Sequence, residues 1–384
     1  MADPYQERES RRIQDPSRRV VLRAAAGTML VSALGGASIL FPGKAMAGEL
    51  RTLRWGFVGT GMIANSMAGV LKMSPHAELA AVSSRKIESA QSFANDHGAE
   101  KAFDSWQDLA DWDGVDAIYV ATPTSVREEI CVAAANAGKH VLGEKPFASL
   151  DSLQRITAAC RKNNVGFMDG THFVHHPRTT AIQSAMAEQV GWPWSVDSAF
   201  QFNLPDRGNI RYNPQLEPLG AIGDAGWYNM RAAVEYLSPG ISLESADAHL
   251  RRDKQTGAAI SGSGVLVFSD GSTSTWNCGF DSGAVIMDLR ISGEKGSISV
   301  DNFLSQDGDG SASYLYRRGG WGPGAVKEVI KIDSALPGAA LMFEDFAGMV
   351  DDAEWRERSM QVSENTQLLL DAAWQGALRN ETAG

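Results

Sequence analysis

A glycine-rich turn between a short apolar strand and a helix constrains the fold of this chain more than any other feature. Residues 53–58, LRWGFV, predict a buried strand, and residues 59–64 read G-x-G-x-x-A. In this pattern Gly59 permits a tight turn, Gly61 lets a pyrophosphate approach the backbone, and Ala64 lets the helix pack closely on the strand. The start of the helix would face the phosphates. The loop therefore predicts a dinucleotide site with cofactor contacts at Gly59, Thr60, Gly61, Met62 and Ile63.

The second predicted strand indicates which dinucleotide is bound. Residues 77–85, AELAAVSSR, place Ser83, Ser84 and Arg85 where the side chain that reads the ribose is expected. A carboxylate there would accept hydrogen bonds from the ribose hydroxyls of NAD, whereas hydroxyls and a guanidinium suit the 2′-phosphate of NADP. We therefore expect NADP rather than NAD, with contacts from Ser84 and Arg85. The alternative is that Arg85 is a solvated surface residue.

Strands and helices continue to alternate beyond this point. Residues 115–123, 139–146 and 165–173 predict further strands, separated by helical segments. Such alternation predicts a parallel sheet with crossover connections, whose ligands collect at the carboxyl ends of the strands. The segments ATPTS and GEKPFA lie at two such ends, so we expect both to border the nicotinamide. The cofactor contacts predicted from them are Thr122, Pro123 and Glu144.

The second half of the chain has a different pattern. From Val196 onward, polar and apolar residues alternate as in half-buried strands, and Asp270-Gly271 and Lys295-Gly296 mark hairpin turns. This predicts an open, largely antiparallel sheet with helices such as 224–237 on one face. The last segment, NTQLLLDAAWQGALRN, predicts an amphipathic helix that returns to the first domain.

The fold class is therefore α/β. We expect an N-terminal Rossmann parallel sheet in residues 48–170 and a C-terminal α+β domain, with an open and mostly antiparallel sheet, in residues 171–384. Two domains also suit a chain of 384 residues, which exceeds what one hydrophobic core usually supports.

Residues 1–47 have the pattern of an export signal. The segment SRRVVL, residues 17–22, matches the twin-arginine pattern, and an apolar run over 24–41 leads to a small-x-small site at residues 45–47. We expect cleavage after Ala47 and export of the folded protein to the periplasm. The alternative is a single membrane anchor, because the run approaches the roughly 20 residues that span a bilayer.

The amino-acid composition argues against several classes of binding partner. The chain has 35 Lys and Arg residues against 46 Asp and Glu residues, a net charge of −11, which disfavours nucleic acid or an anionic membrane as a partner. Its three cysteines, Cys131, Cys160 and Cys278, are far apart and form no disulfide framework or metal-binding spacing. Such sparse use suits folding in a reducing cytoplasm.

The motifs GFVGTGMIA, ATPTS, GKHVLGEKP and LGAIGDAGWY occur in this order within residues 51–380. At these spacings the chain resembles the glucose-fructose oxidoreductase / inositol dehydrogenase / MocA family. The resemblance implies that Lys145 stands beside the nicotinamide, that Pro146 follows a cis bond, and that the second domain closes over the substrate. It also implies a homo-oligomer formed through the open sheet face. The alternative for Lys145 is a surface ion pair with Glu144.

The family pattern D-x-G-x-H or D-x-G-x-Y falls on Asp224, Gly226 and Tyr228. With tyrosine, the chain resembles the branch that includes glucose-fructose oxidoreductase and dihydrodiol dehydrogenase. The resemblance implies that Lys145, Tyr228 and Asp224 are catalytic. A free phenol, with a pKa of about 10, is a weak base at neutral pH, so we expect the Lys145 ammonium to lower the pKa of Tyr228. The alternative is a tyrosine of the core.

Three of the seven histidines lie within DGTHFVHHPRT, residues 169–179. No cysteine or carboxylate constellation accompanies them, so no metal site is predicted. We expect sugar or cofactor contacts instead, with His172, His176 and Arg178 as substrate-binding residues.

The family resemblance and the export signal together imply an aldose oxidoreductase. It would oxidise an aldose and reduce a second sugar or carbonyl by ping-pong hydride transfer, with its NADP retained because a dissociable cofactor would be lost outside the cytoplasm. Three alternatives are an NADP-dependent sugar dehydrogenase with a dissociable cofactor, an NAD-assisted glycoside hydrolase, and a binding module with a structural nucleotide. The expected partner is a small carbohydrate, with no stable membrane association after cleavage.

Overall fold

The computed structural model describes residues 50–237 and 242–382. The predicted export signal and its cleavage site, residues 1–47, lie outside these ranges. No helix within them combines the length and the apolar composition required to cross a bilayer.

The first half of the described chain forms a six-stranded sheet with its connecting helices. The strands are β1 (Leu53–Val58), β2 (Ala77–Ser83), β3 (Lys101–Phe103), β4 (Ala117–Val120), β5 (His140–Gly143) and β6 (Phe167–Asp169). The helices are α1 (Met62–Leu71), α2 (Ile87–His97), α3 (Trp106–Asp111), α4 (Thr124–Asn136) and α5 (Leu150–Lys162). Neighbouring strands are all parallel, in the order β3-β2-β1-β4-β5-β6. The predicted Rossmann sheet is confirmed, and its strand order reverses between β1 and β4, where a ligand crevice forms.

Local sequence explains why these elements begin and end where they do. All four residues of β4 are buried, as expected for a central strand covered by helices on both faces. Helix α5 begins where the Ser149 hydroxyl accepts a hydrogen bond from the Ser152 amide at 3.2 Å. Helix α2 ends at Gly98, whose φ of +80° suits a residue without a Cβ.

The second half forms an eight-stranded sheet with helices. Its strands are β7 (Pro193–Asn203), β8 (Leu243–Arg252), β9 (Ala259–Phe268), β10 (Thr273–Gly279), β11 (Asp281–Gly293), β12 (Ser297–Val300), β13 (Ala312–Arg318) and β14 (Val326–Ile332). Its helices are α6 (Pro177–Ala185), α7 (Gly220–Asp224), α8 (Gly226–Tyr236), α9 (Gly338–Met349) and α10 (Ala353–Thr382). The order is β14-β13-β12-β11-β7-β10-β9-β8, and every neighbouring pair except β7 with β10 is antiparallel. The predicted mostly antiparallel sheet and both predicted hairpins are confirmed.

Helix α10 packs against both halves. Its Gln367 side chain accepts a hydrogen bond from the Phe147 amide at 3.0 Å, and its Asp371 carboxylate accepts one from the Leu150 amide at 2.7 Å. Farther along the same helix, a Cβ added to Gly376 would lie 3.1 Å from a backbone oxygen of β8. The C-terminal segment therefore joins the start of α5 to the second sheet.

A buried ionic network also connects the two halves. Arg231 of α8 donates hydrogen bonds to Asp169 of β6 at 2.7 Å and to Glu235 at 2.8 Å, and Ser363 of α10 donates to Asp169 at 2.6 Å. The side chains of Arg231 and Asp169 are 4% and 1% exposed. Because each charge is paired, the network fixes α8 against the last strand of the first sheet.

Candidate active site

A cleft of about 620 Å³ is lined by residues of both halves. Gly61, Met62 and Ile63, from the glycine-rich loop and the start of α1, contribute one part of its wall. Phe200 and Phe202 of β7 contribute another, and charged residues occupy the space between. The cleft therefore combines an exposed backbone turn, apolar rings and convergent polar groups, as ligand sites usually do.

The glycine-rich loop has the geometry that a dinucleotide phosphate requires. Gly59 has a φ of +107°, and a Cβ there would lie 2.8 Å from the Ala121 backbone oxygen, so no other residue fits. A Cβ on Gly61 would meet nothing within 4 Å among the described residues, which leaves its face open to a ligand. Helix α1 begins at Met62 without a side-chain cap. Its amide groups are thus available to an anion.

The end of β2 lies beside this loop. The hydroxyls of Thr60 and Ser84 are 3.2 Å apart, and Arg85 follows as an exposed residue. The structure thus brings Thr60 and Ser84 together where the ribose of a dinucleotide would lie.

Lys145, at the end of β5, and Asp224, at the end of α7, form a buried ion pair. The Lys145 ammonium donates to the Asp224 carboxylate at 2.8 Å and to its backbone oxygen at 2.9 Å. Arg211 donates to the other carboxylate oxygen of Asp224 at 2.7 Å. Burial has the largest single effect and opposes the charge on Lys145, but Asp224, Tyr228 and Glu144 together outweigh it and raise the pKa of the amine. Burial would likewise raise the pKa of Asp224, but Lys145 and Arg211 hold it well below its usual range.

Tyr228, in the first turn of α8, lies under the Lys145 ammonium, which is 4.6 Å from the centre of its ring. Phe200 packs edge-on against the same ring at 5.5 Å, and the His172 ring lies at 5.7 Å. No hydrogen bond to the Tyr228 hydroxyl is found in the part of the chain that the structure describes. The phenol therefore lines the cleft with its hydroxyl available to a ligand.

The pKa of Tyr228 differs from the sequence-based expectation. The Lys145 ammonium does lower it, but burial has the larger effect and raises the pKa to about 12. The phenol is therefore protonated at neutral pH. His172 also lines the cleft, and burial together with the Lys145 charge lowers its pKa to about 4. Its imidazole is uncharged at neutral pH.

The predicted contacts after β4 and β5 lie at the same edge of the sheet. Thr122 and Glu144 line the cleft, and the Thr122 hydroxyl is buried without a partner among the described residues. Glu144 accepts a hydrogen bond from the Tyr119 hydroxyl at 2.5 Å. Pro123 immediately precedes α4. Together with the loop at Gly59, these residues fit a nicotinamide dinucleotide lying across the crevice.

Comparison with known proteins assigns the family. The pattern that defines the oxidoreductase family with an NAD-binding Rossmann fold matches residues 53–171, and that of the GFO/IDH/MocA C-terminal domain matches residues 180–299. The chain belongs to this family. The peptide bond between Lys145 and Pro146 is cis, as the family resemblance implied.

Relatives of this GFO/IDH/MocA oxidoreductase include characterised enzymes. A D-xylose 1-dehydrogenase (NADP(+)) of Haloferax volcanii is 28% identical, over 85% of this chain and 98% of that protein. A dTDP-3,4-didehydro-2,6-dideoxy-alpha-D-glucose 3-reductase of Actinomadura kijaniata is 31% identical, over 60% of this chain and 69% of that protein. A crystal structure of a 3-ketoreductase from Actinomadura kijaniata, in complex with NADP and TDP-benzene, has a TM-score of 0.76 and 25% identity, covering 85% of this chain and 98% of that one.

His176 and Arg178 lie away from the cleft of this GFO/IDH/MocA oxidoreductase. His176 caps α6 by accepting the Arg178 amide at 3.1 Å, and its other ring nitrogen is 3.0 Å from the Gly310 oxygen. The Arg178 guanidinium donates to the Phe303 backbone oxygen at 2.5 Å. Both side chains are buried with their polar groups engaged. We therefore replace the prediction of substrate contacts by these two residues with a structural role.

Three charged residues of the cleft are missing from the sequence-based prediction: Arg127 of α4, Arg211 and Glu217. Arg211 and Glu217 lie in the irregular segment 206–217, which leads from β7 to α7. Glu217 accepts hydrogen bonds from the Thr124 amide at 3.1 Å and from the Thr124 hydroxyl at 2.6 Å. This stretch, which we call the 206–217 segment, thus contacts Thr124, the first residue of α4, and places Arg211 beside Asp224.

Proposed function

We propose that this protein is an NADP-dependent sugar oxidoreductase that retains its cofactor, oxidising an aldose and reducing a second sugar or carbonyl at the same site. One observation carries the proposal. Lys145, Asp224 and Tyr228 converge in a cleft whose wall includes the phosphate-binding turn at Gly61. A buried ammonium above a protonated phenol, within reach of a nicotinamide site, suits exchange of a proton with a hydroxyl or carbonyl.

NADP is the cofactor of this proposal. Ser84 lies 3.2 Å from the Thr60 hydroxyl and Arg85 is exposed beside it, so a 2′-phosphate would meet hydroxyls and a guanidinium rather than a carboxylate. The names of the Haloferax dehydrogenase and the complex of the Actinomadura ketoreductase both include this nucleotide.

The bound nicotinamide would supply the two-electron redox chemistry, and the side chains of this chain would handle the proton. With a pKa of about 12, Tyr228 holds its proton at neutral pH and can donate it to the oxygen of a carbonyl substrate. The Lys145 ammonium, 4.6 Å from the ring centre, stabilises the negative charge that develops on the phenol. In the opposite direction the phenolate form of Tyr228, stabilised by the Lys145 ammonium, takes up the proton of a sugar hydroxyl and becomes the phenol again. Asp224 keeps Lys145 charged and in place.

His172 would assist without carrying charge. Its pKa of about 4 leaves the imidazole neutral, so it can both donate and accept hydrogen bonds with sugar hydroxyls. The rings of Phe200 and Phe202 offer apolar surface to the carbon face of a sugar. A wall of this kind suits a small carbohydrate.

The test measures the nicotinamide bound to the protein as purified. The protein is dialysed extensively, its near-ultraviolet absorbance is recorded, and D-xylose and other aldoses are added in turn without NADP. Growth of the reduced-nicotinamide band, followed by its loss when a second sugar is added, is expected. A cofactor-free protein that turns over D-xylose with added NADP would instead support a dehydrogenase with a dissociable cofactor. That second candidate is favoured by the similarity to the Haloferax enzyme over 98% of its length.

We also propose that the protein reaches the periplasm by the twin-arginine route. The SRRVVL segment and the small-x-small site at 45–47 support this. Cell fractionation of the wild-type chain and of a variant with Arg18→Lys and Arg19→Lys is the test. The variant is expected to accumulate as a longer, uncleaved chain in the cytoplasm, and equal export of both chains would refute the proposal.

A homo-oligomer formed through the open sheet face completes the proposal. Val285 of β11 and Val329 of β14 are 64% and 68% exposed, and such side chains gain from burial against a second copy. Light scattering coupled to size-exclusion chromatography is expected to give a mass above that of one chain. A monomer at micromolar concentration would exclude the oligomer.

A further inference from the structure

Arg211 binds the carboxylate of Asp224, which also binds Lys145. Its Nε lies 2.7 Å from one oxygen of Asp224 and its Nη2 lies 3.4 Å from the other, which is the oxygen that Lys145 contacts at 2.8 Å. The Asp224 carboxylate is therefore held between two cations. Without Arg211, one carboxylate oxygen would lose this partner, and Lys145 would be held by Asp224 only through the other carboxylate oxygen and the backbone oxygen at 2.9 Å. The position of the ammonium over Tyr228 would then be less well fixed.

This arrangement is more buried than the surface ion pairs of the same molecule. The side chains of Arg211 and Asp224 are 27% and 13% exposed, whereas those of Arg155 and Glu128 are 59% and 33% exposed. A less solvated pair is screened less by water and salt, so its geometry and charge influence their neighbours more strongly. Arg211 also lines the cleft itself.

The charges around Tyr228 show what Arg211 contributes. The titratable groups that face the phenol are Lys145, Glu144, Asp224, Asp169, the neutral His172 and Tyr119, whose own pKa burial raises. Three of these are carboxylates and one is a cation, and Asp169 is already neutralised by Arg231. Arg211 neutralises part of the charge on Asp224 in the same way. The Lys145 charge is then less fully cancelled by its partner and remains available to the phenol.

We propose that Arg211 is a positioning residue of the reaction: by holding both oxygens of the Asp224 carboxylate, it keeps the ammonium over the Tyr228 ring and leaves its charge available to the phenolate that forms. The inference rests on the proposed role of Tyr228. It adds a fourth side chain, outside the D-x-G-x-Y and GEKP motifs, to the catalytic arrangement.

The 206–217 segment delivers Arg211 to this position. Near its end Glu217 holds the Thr124 amide and hydroxyl, and the Leu216 oxygen accepts a hydrogen bond from the Ser125 amide at 3.1 Å. The segment of the second half that supplies Arg211 is therefore attached to the first half, which supplies Lys145. The positions of Arg211 and Lys145 relative to Asp224 are set together.

The test compares Arg211→Gln and Arg211→Lys with the control Arg207→Gln, which removes a charge from the same segment outside the cleft, where the half-exposed Arg207 pairs with the buried Asp253. Sugar oxidation is followed from pH 7 to 10 with D-xylose, or with the sugar most active in the screen above. Loss of Arg211 leaves the Asp224 charge less compensated, so the pKa of Tyr228 rises. This pH range lies below the pKa of Tyr228, where the phenolate fraction and with it kcat rise tenfold per unit, so a pKa about one unit higher in Arg211→Gln should lower kcat about tenfold at every pH. NADP affinity should stay unchanged.

Arg211→Lys keeps a cation but cannot contact both carboxylate oxygens as the guanidinium does. We therefore expect kcat to fall about two- to fivefold, because the pKa of Tyr228 rises less than in Arg211→Gln. Arg207→Gln should match the wild-type enzyme. The proposal is overturned if Arg211→Gln has the wild-type pH profile and kcat, or if it changes KM alone, which would make Arg211 a substrate contact. If Arg211→Gln does not fold, a wild-type profile in Arg211→Lys overturns it equally. Turnover retained in Tyr228→Phe would instead refute the proposed function itself.

Discussion

The two halves of this molecule build their contributions to the cleft in different ways. In the first half, the predicted phosphate site is one continuous stretch from Gly59 to Ile63, shaped by a positive φ and an uncapped helix start. In the second half, the Asp224 carboxylate binds Lys145, which comes from the first half, and Arg211, which comes from the 206–217 segment. The predicted phosphate site is thus local in sequence, whereas the proposed site for proton transfer is assembled from distant parts of the chain.

The largest expected effect tests the assembled site. Tyr228→Phe removes the proton donor but keeps the ring that packs against Phe200, so the fold and NADP affinity should be unchanged. Loss of general acid–base catalysis should lower kcat by about 10²- to 10⁴-fold. Steady-state kinetics and a cofactor titration measure both quantities. Tyr316→Phe, in β13, serves as the control and should leave kcat unaltered; an active Tyr228→Phe enzyme would remove the phenol from the mechanism.

A second prediction concerns the network that joins the halves. Arg231→Met would leave the carboxylate of Asp169, which is 1% exposed, without its cation. We expect the free energy of unfolding to fall by about 3–5 kcal/mol, measured by chemical denaturation. Arg155→Met, which breaks an exposed pair with Glu128, should change stability little. Equal effects from the two variants would mean that the buried network does not secure α8.

The local cofactor site can be tested with two glycines of the same region. A Cβ on Gly61 would have no atom of the described residues within 4 Å, so Gly61→Ala should fold normally. The added methyl group would nevertheless lie where the pyrophosphate is predicted to bind. NADP affinity should fall about tenfold, or about 1.4 kcal/mol. Gly69→Ala, on the exposed side of α1, should leave affinity unchanged and stabilise the helix by about 0.5–1 kcal/mol. Calorimetric titration decides whether the two differ.

The smallest expected effect concerns the choice of nucleotide. Arg85 is exposed, so water and salt screen its attraction to a 2′-phosphate. Arg85→Ala should therefore weaken NADP binding by about three- to fivefold and leave NAD binding unchanged. Titrations with both nucleotides at two salt concentrations measure this difference. An equal loss for NAD and NADP would show that Arg85 does not contact the phosphate.

The sequence predicted those parts of the fold that local patterns determine. The loop at Gly59 and the hairpins at Asp270-Gly271 and Lys295-Gly296 follow from glycine and strand patterns and are confirmed. Two elements escaped prediction for different reasons. Strand β3 has only three residues, and α9 is buried along most of its length, without the polar face that marks a surface helix.

The sequence predicted those residues of the site that belong to recognisable motifs. Lys145 and Tyr228 were recognised from motif residues, but the pKa of Tyr228 depends on burial, which no motif encodes. Arg211 and Glu217 lie in a segment without periodicity, and their partners are fixed by tertiary packing. For His176 a signal was present, since Pro177 follows it at the first helical position and marks it as a helix cap.

The three cysteines of the molecule have a practical consequence. Cys131, Cys160 and Cys278 are all buried and unbridged, and burial raises the pKa of each thiol, to about 12 for Cys160 and Cys278. Because the thiolate is the reactive form, alkylating reagents and mild oxidants find almost none of it in the folded protein. Thiol labelling of the purified protein therefore reports the opening of both halves, without any engineered probe.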